Sequence, residues 1–170
     1  RDVVRFVALP DELGPAERPL VFLTSDNGPI TAGGQDPEFF DSNGPLRDLK
    51  FTLYEGGIRV PCIARWRGRI AAGVTSTQVS DFADMFPTFV ELAGRAAPRG
   101  LDGVSLVPTL LGQSERQVQR DVFYWEAAPQ QAIRVGDWKA VRSAQGRPLE
   151  LYHLGRDLGE ASNLAAQHPD

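Results

Sequence analysis

Leu20-Val21-Phe22-Leu23-Thr24 is an uninterrupted run of strand length that stops abruptly at Ser25-Asp26-Asn27-Gly28-Pro29. A short run without polar alternation, closed by turn formers, fits a strand covered on both faces, as in parallel α/β sheets. Such a strand expects strand neighbours on both sides. This feature makes α/β the expected fold class.

The residues around the run fill in that frame. Residues 29–48 hold Gly33-Gly34, Pro37, Asn43-Gly44 and Pro45 without sustained periodicity, and loops this long are commonly functional or disordered. Thr52–Gly57 leads through Gly56-Gly57 into a second expected strand, Ile58–Trp66. Over residues 80–93, Phe82, Met85, Phe86, Phe89, Val90 and Ala93 recur every three or four positions, so a helix with an inward-packing aromatic stripe is expected. Ser80 and Asp84 are its candidate N-caps, and Gly94 stands where a C′ glycine belongs. Upstream, Arg1–Gly14 reads as the end of an element, broken by Pro10 and stopped by Leu13-Gly14-Pro15.

From about Asp121 the pattern changes. Val122–Trp125, Ala132–Val135, Trp138–Arg142 and Leu149–Leu154 are short β-prone segments, with Gly136-Asp137 as a hairpin turn, and a polar tail with helical character follows. Together they predict a small antiparallel annex to the α/β part, dividing the chain into residues 1–115 and 116–170.

Composition narrows the function. The 170 residues carry 18 Lys+Arg against 22 Asp+Glu, a net charge of −4, with 42% hydrophobic residues. That mix suits one globular domain with an annex. The acidic balance and the lack of a basic stripe argue against nucleic-acid binding. No apolar run approaches the ~20 residues that span a bilayer. One cysteine permits no intrachain disulfide and leaves the compartment open.

Two places hold candidate chemistry. Asp26 and Asn27 follow the first strand, and ligands in open α/β sheets bind beyond carboxyl strand ends. A carboxylate and an amide oxygen are hard donors suited to Ca²⁺ or Mg²⁺, although Asp-Asn-Gly is equally ordinary turn chemistry. Lys50, 24 positions after Asp26, would suit a tetrahedral oxyanion beside a dication, or would simply be solvated, as would Arg47 and Arg59. Arg59 could equally pair with Glu55. Cys62, on an apolar strand, reads as a small hydrophobe. His153 and His168 lack a Ser or Cys partner in a recognisable motif, so a Ser–His–Asp hydrolase is poorly supported. Trp125 and Trp138 fit core packing better than sugar stacking.

Longer strings are more specific. Gly44–Pro61, which contains Lys50 and Glu55-Gly56-Gly57, resembles the lysine-bearing signature of type I, arylsulfatase-like, formylglycine-dependent sulfatases. Leu20–Pro29, Val79–Gly94, Leu101–Leu106, Gly136–Lys139 and Leu149–Leu154, then Glu160 and Asn163–Ala165, follow in the order of that family. The resemblance implies an alkaline-phosphatase-like α/β fold: the C-terminal part of the main sheet plus a small antiparallel sheet with a helix. It implies hydrolysis of aryl or carbohydrate sulfate esters, with Asp26 and Asn27 as two calcium ligands (Mg²⁺ as the alternative ion) and Lys50 holding the sulfate and stabilising the leaving oxygen. Glu55, Gly56 and Gly57 would shape the turn.

The family's nucleophile is a formylglycine made within Cys/Ser-x-Pro-x-Arg, and this chain contains no such string. The nucleophile, the paired aspartates completing the calcium site and a catalytic histidine are expected upstream of Arg1, in a missing N-terminal half, so the chain alone is expected to be inactive. Leu49 and Phe51 flank Lys50 where the family commonly has glycine or polar residues. A periplasmic or secreted location is implied by resemblance only. Alternatives are a phosphate or phosphonate ester hydrolase of the same superfamily and a non-catalytic carbohydrate-binding or interaction module using Trp125 and Trp138.

Overall fold

The computed structural model describes Ala8 and residues 19–169. The expected element end within Arg1–Gly14 therefore lies outside the described residues, Ala8 apart. The chain forms two compact units, each drawn from two stretches: Arg1–Leu23 with Cys62–Arg120, and Thr24–Pro61 with Asp121–Asp170.

β1 (Val21–Thr24) pairs with β2 (Cys62–Arg65) in a two-stranded sheet. The expected second strand thus starts four residues later than its apolar pattern suggested. Residues 55–58 are instead a single helical turn, α1 (Glu55–Ile58). Neither strand is covered on both faces by the described residues: Leu23 and Ile63 are 40% and 57% exposed. Cys62 is exposed, so it is not a core hydrophobe.

The expected helix exists as a 3₁₀ turn, Phe82–Asp84, running into α2 (Met85–Leu92). Its N-terminus is closed by Asp81, not by Ser80. The Asp81 carboxylate accepts from Ala83 N–H at 2.9 Å, and Asp84 accepts from Asp81 N–H at 2.9 Å, a reciprocal capping box. At the other end Gly94, at φ 71°, donates to Glu91 O, and Arg95 N–H reaches Val90 O, the paired bonds of a Schellman stop.

The aromatic stripe of this helix is half-exposed, with Phe89 edge-on to Phe22 of β1 at 5.6 Å, and the most buried positions lie on the opposite side. Phe82, Phe86 and Phe89 are 54%, 55% and 47% exposed, whereas Asp84, Pro87 and Thr88 are buried. The cause is polar. Asp84 accepts from Val104 N–H at 2.8 Å and from Arg120 at 3.1 Å, and Thr88 accepts from Leu106 N–H at 2.9 Å. Buried donors must be satisfied, and these bonds turn positions 84 and 88 towards the 103–106 segment. Beyond that segment lie α3 (Val107–Leu110) and a second 3₁₀ turn, Ser114–Arg116.

The second unit contains the antiparallel sheet β3 (Val122–Ala127), β4 (Gln130–Val135), β5 (Trp138–Arg142) and β6 (Glu150–His153), hydrogen-bonded in chain order. The four segments expected from sequence are all present. Gly136, at φ 58°, permits the two-residue β4–β5 turn, which brings Val135 opposite Trp138. The tail after His153 is a succession of turns without the helix its polar pattern suggested. Alternation sends Phe123, Ala132, Val141 and Tyr152 to one buried face, where Ala132, Val141 and Tyr152 pack with Leu53 and Tyr54. Trp125 packs against this core and stacks with Phe123 at 6.0 Å, while Trp138 lies edge-on to His153 and His168 at 4.8 and 5.0 Å.

Candidate active site

Asp26, Asn27 and Lys50 all belong to the second unit, and the backbone draws their segments together. Lys50 N–H donates to Pro29 O at 2.8 Å, and Gly28 N–H donates to Gly57 O at 2.9 Å. The Asp-Asn-Gly-Pro turn therefore lies against both the lysine loop and α1. Contact is close enough to require glycine: a Cβ on Gly28 would sit 1.8 Å from Gly56 O, and one on Gly56 would sit 2.0 Å from Asp48 O. Both obstacles are backbone, so neither can yield without moving the loop. Gly28→Ala is expected to lower stability by about 3 kcal/mol or more, the upper range of overpacking. A urea midpoint equal to wild type would refute that estimate.

Inside the turn, Ser25 Oγ donates to Asn27 O at 2.8 Å and Asn27 Nδ2 donates to Gly28 O at 3.0 Å. With its nitrogen committed to the backbone, Asn27 is left with Oδ1 as its available donor atom towards a cation. Asp26 is exposed and has no hydrogen bond or ion pair among the described residues. These two oxygens fit a hard dication in kind, but they are few: Ca²⁺ takes about 6–8 oxygens. Among the described residues no group of three or more His, Cys, Asp or Glu is arranged to hold a metal.

The lysine loop is held by side chains that are not themselves reactive. Asn43 Nδ2 donates to Leu46 O and Asp48 O, both at 2.7 Å, and Thr52 Oγ1 donates to Leu49 O at 2.9 Å. The Lys50 ammonium lies 5.4 Å from the centre of the Phe51 ring. Arg47 is not the solvated cation that its loop position suggested. Its guanidinium lies 3.8 Å over the Tyr54 ring and donates to Tyr152 Oη at 2.7 Å and Glu160 O at 3.0 Å. Tyr54 and Tyr152 both donate to Glu150. Burial, followed by that bond to Glu150, pushes the Tyr54 phenol up to about 12, and Tyr152 moves in the same direction for the same reasons.

Beneath the loop lies a charge cluster that no local pattern announced. Lys139, fully buried on β5, places Nζ 2.9 Å from Glu55 Oε1 and 2.9 Å from Glu160 Oε1. The second contact is ionic, without hydrogen-bond alignment. The other Glu160 oxygen accepts from Glu55 N–H at 2.6 Å, and Arg59 reaches Glu55 Oε2 at 3.3 Å. The Arg59–Glu55 pair matches the alternative read from sequence. Glu55 does more than shape a turn: its helix carries Gly57, which receives the Gly28 bond, and Gly56, whose N–H donates to Arg47 O at 2.7 Å. One buried cluster thus anchors the helical turn against which both candidate segments rest. Lys139 and Glu160 were visible in sequence only as parts of matched strings. The usable signal was Lys139 sharing a strand face with Val141, which is also fully buried.

The sequence and the fold are similar to those of known proteins. The Sulfatase family model matches residues 3–95. N-acetylgalactosamine-6-sulfatase of Canis lupus familiaris is 39% identical over 165 residues, covering 96% of this chain and 31% of the relative. A sulfatase from Pseudoalteromonas sp. superposes with a TM-score of 0.75 at 28% identity, covering 97% of this chain and 36% of that structure. Phosphonate monoester hydrolase of Agrobacterium radiobacter superposes with a TM-score of 0.60 at 27% identity, covering 88% and 31%. The chain thus spans about a third of the length of these proteins. No helix among the described residues is long and apolar enough to cross a membrane.

Proposed function

The chain belongs to the sulfatase family, with the alkaline-phosphatase-like α/β fold of its structural neighbours, and on that premise we propose that it supplies the oxyanion-binding part of a sulfuric ester hydrolase. The observation that carries this reading is the backbone bonding of the Asp26-Asn27 turn to Lys50 through Pro29 and to α1 through Gly28. A lysine loop whose backbone is bonded to a turn carrying hard oxygen donors suits a tetrahedral anionic ester. Lys50 would bind a sulfate oxygen and offset the negative charge that grows as the ester bond breaks. Asp26 and Asn27 would hold Ca²⁺, or Mg²⁺, with further ligands from outside this chain; the ion would supply Lewis-acid polarisation of the sulfate oxygens.

The nucleophile is assigned to residues outside this chain, which contains no Cys/Ser-x-Pro-x-Arg string. On this reading residues 1–170 alone do not turn over substrate. Aryl and carbohydrate sulfates are the proposed substrate class, and a periplasmic or secreted setting is the proposed compartment. A second reading, phosphate or phosphonate ester hydrolysis, draws support from the phosphonate monoester hydrolase neighbour. Aryl sulfate, phosphate diester and phosphonate monoester assayed side by side on the full-length protein separate the two. A higher kcat/KM for either phosphorus ester would overturn the sulfatase assignment.

The metal role has its own readout. A ligand bound only by the folded state at about 100 times its Kd adds about 2.7 kcal/mol, so calcium should raise the Tm of the full-length protein. Asp26→Ala is expected to remove most of that rise. An undiminished calcium response in the variant would show that Asp26 is not a ligand.

A further inference from the structure

Phe51 stands next to Lys50 in a backbone conformation that a phenylalanine rarely adopts, with φ at 78°. The left-handed region crowds Cβ against the following carbonyl, so a bulky residue persists there only when its surroundings hold it. Gln130 on β4 does so: its Nε2 donates to Phe51 O at 2.7 Å, and its Oε1 accepts from Leu53 N–H at 3.2 Å. The ring gains nothing from the core in return, being 75% exposed. A strained, braced and outward-facing aromatic residue is therefore fixed beside the Lys50 ammonium, 5.4 Å from its ring centre.

We infer that Phe51 is a specificity-determining residue, a stacking platform for the ring of the ester whose sulfate Lys50 holds. This rests on the proposed role of Lys50. The organic group is joined to the sulfate through its bridging oxygen, so a sulfate on Lys50 carries its first ring within reach of the neighbouring side chain. An aromatic face recognises an aryl ring, or the C–H face of a sugar, through area and quadrupole without needing a hydrogen bond. An acyclic alkyl sulfate offers no such face.

The test compares a ring-bearing aryl sulfate with an acyclic alkyl sulfate on the full-length protein. Phe51→Gly suits the left-handed backbone, so folding is preserved or improved. It should lower the aryl-to-alkyl ratio of kcat/KM about tenfold, chiefly through KM for the aryl ester. Phe51→Leu should lose the ratio as well, and Phe51→Tyr should keep it. A ratio unchanged in Phe51→Gly overturns the inference, as does an equal loss on both esters, which would make Phe51 a support for the loop only. Lys50→Ala run in parallel keeps the two readings apart. Loss on both esters upholds the lysine role, and activity retained on both removes it whatever the Phe51 ratio does.

Discussion

Lys139→Met is expected to destabilise the full-length protein by about 3–5 kcal/mol, the range for removing one partner of a buried ion pair. Lys139 and Glu160 are fully buried and Glu55 is 3% exposed. Without the ammonium, two carboxylates share a dry site with Arg59 as the remaining close cation among the described residues, and that arginine is half-exposed. The penalty should also depend on pH. Burial raises the Glu160 pKa and Lys139 opposes the rise, so its folded value lies above its unfolded one. Above the ordinary carboxylate range the folded state then holds more protons than the unfolded, and this group's contribution falls as pH increases through the folded value. Loss of Lys139 moves that value higher still, so the variant should suffer less at pH 5 than at pH 8. Urea unfolding at both values is the measurement. Equal stability of variant and wild type at pH 8 would show that the cluster does not hold the site. Adding Glu55→Gln and Glu160→Gln should recover part of the loss, because neutral amides need no counter-charge.

Lys50→Ala should reduce kcat on an aryl sulfate by about 10²–10³-fold, the usual cost of losing one donor aimed at developing negative charge. Thermal stability should hardly change, since among the described residues the Lys50 side chain has only its ring contact with Phe51 to lose. That pairing of results separates chemistry from folding. Lys50→Arg keeps the charge but replaces a compact ammonium with a wider planar fork, so only partial recovery is expected. Wild-type kcat in Lys50→Ala would dismiss the proposed role, and an equal fall in Tm would convert it into a structural one.

Sequence was most legible where structure is local. The four strands of the second unit, the Gly136 turn and the Gly94 stop were each written in period-2 alternation or in glycines at positions needing positive φ. It was least legible where long-range polar bonds overrule hydrophobic pattern. The Phe82–Phe86–Phe89 stripe suggested an inner face, yet Asp84 and Thr88 turn inward because residues 104 and 106 present backbone donors to them. The strand expected from Ile58 begins only at Cys62 for a related reason: Gly56 and Gly57 must pass within contact of other backbone, so the chain coils through 55–58 before extending.

By itself the chain's order of residues determined the strand that leads into Asp26-Asn27, the loop that carries Lys50, and the family to which both point. Only the tertiary structure decided that Arg47 stacks on Tyr54, that Phe51 faces outward under strain, and that Lys139 meets Glu55 across 84 positions and Glu55 meets Glu160 across 105. Local periodicity records which way a side chain points from its own backbone. It does not record which distant side chain arrives there, and the energy of a buried charge depends almost entirely on that arrival.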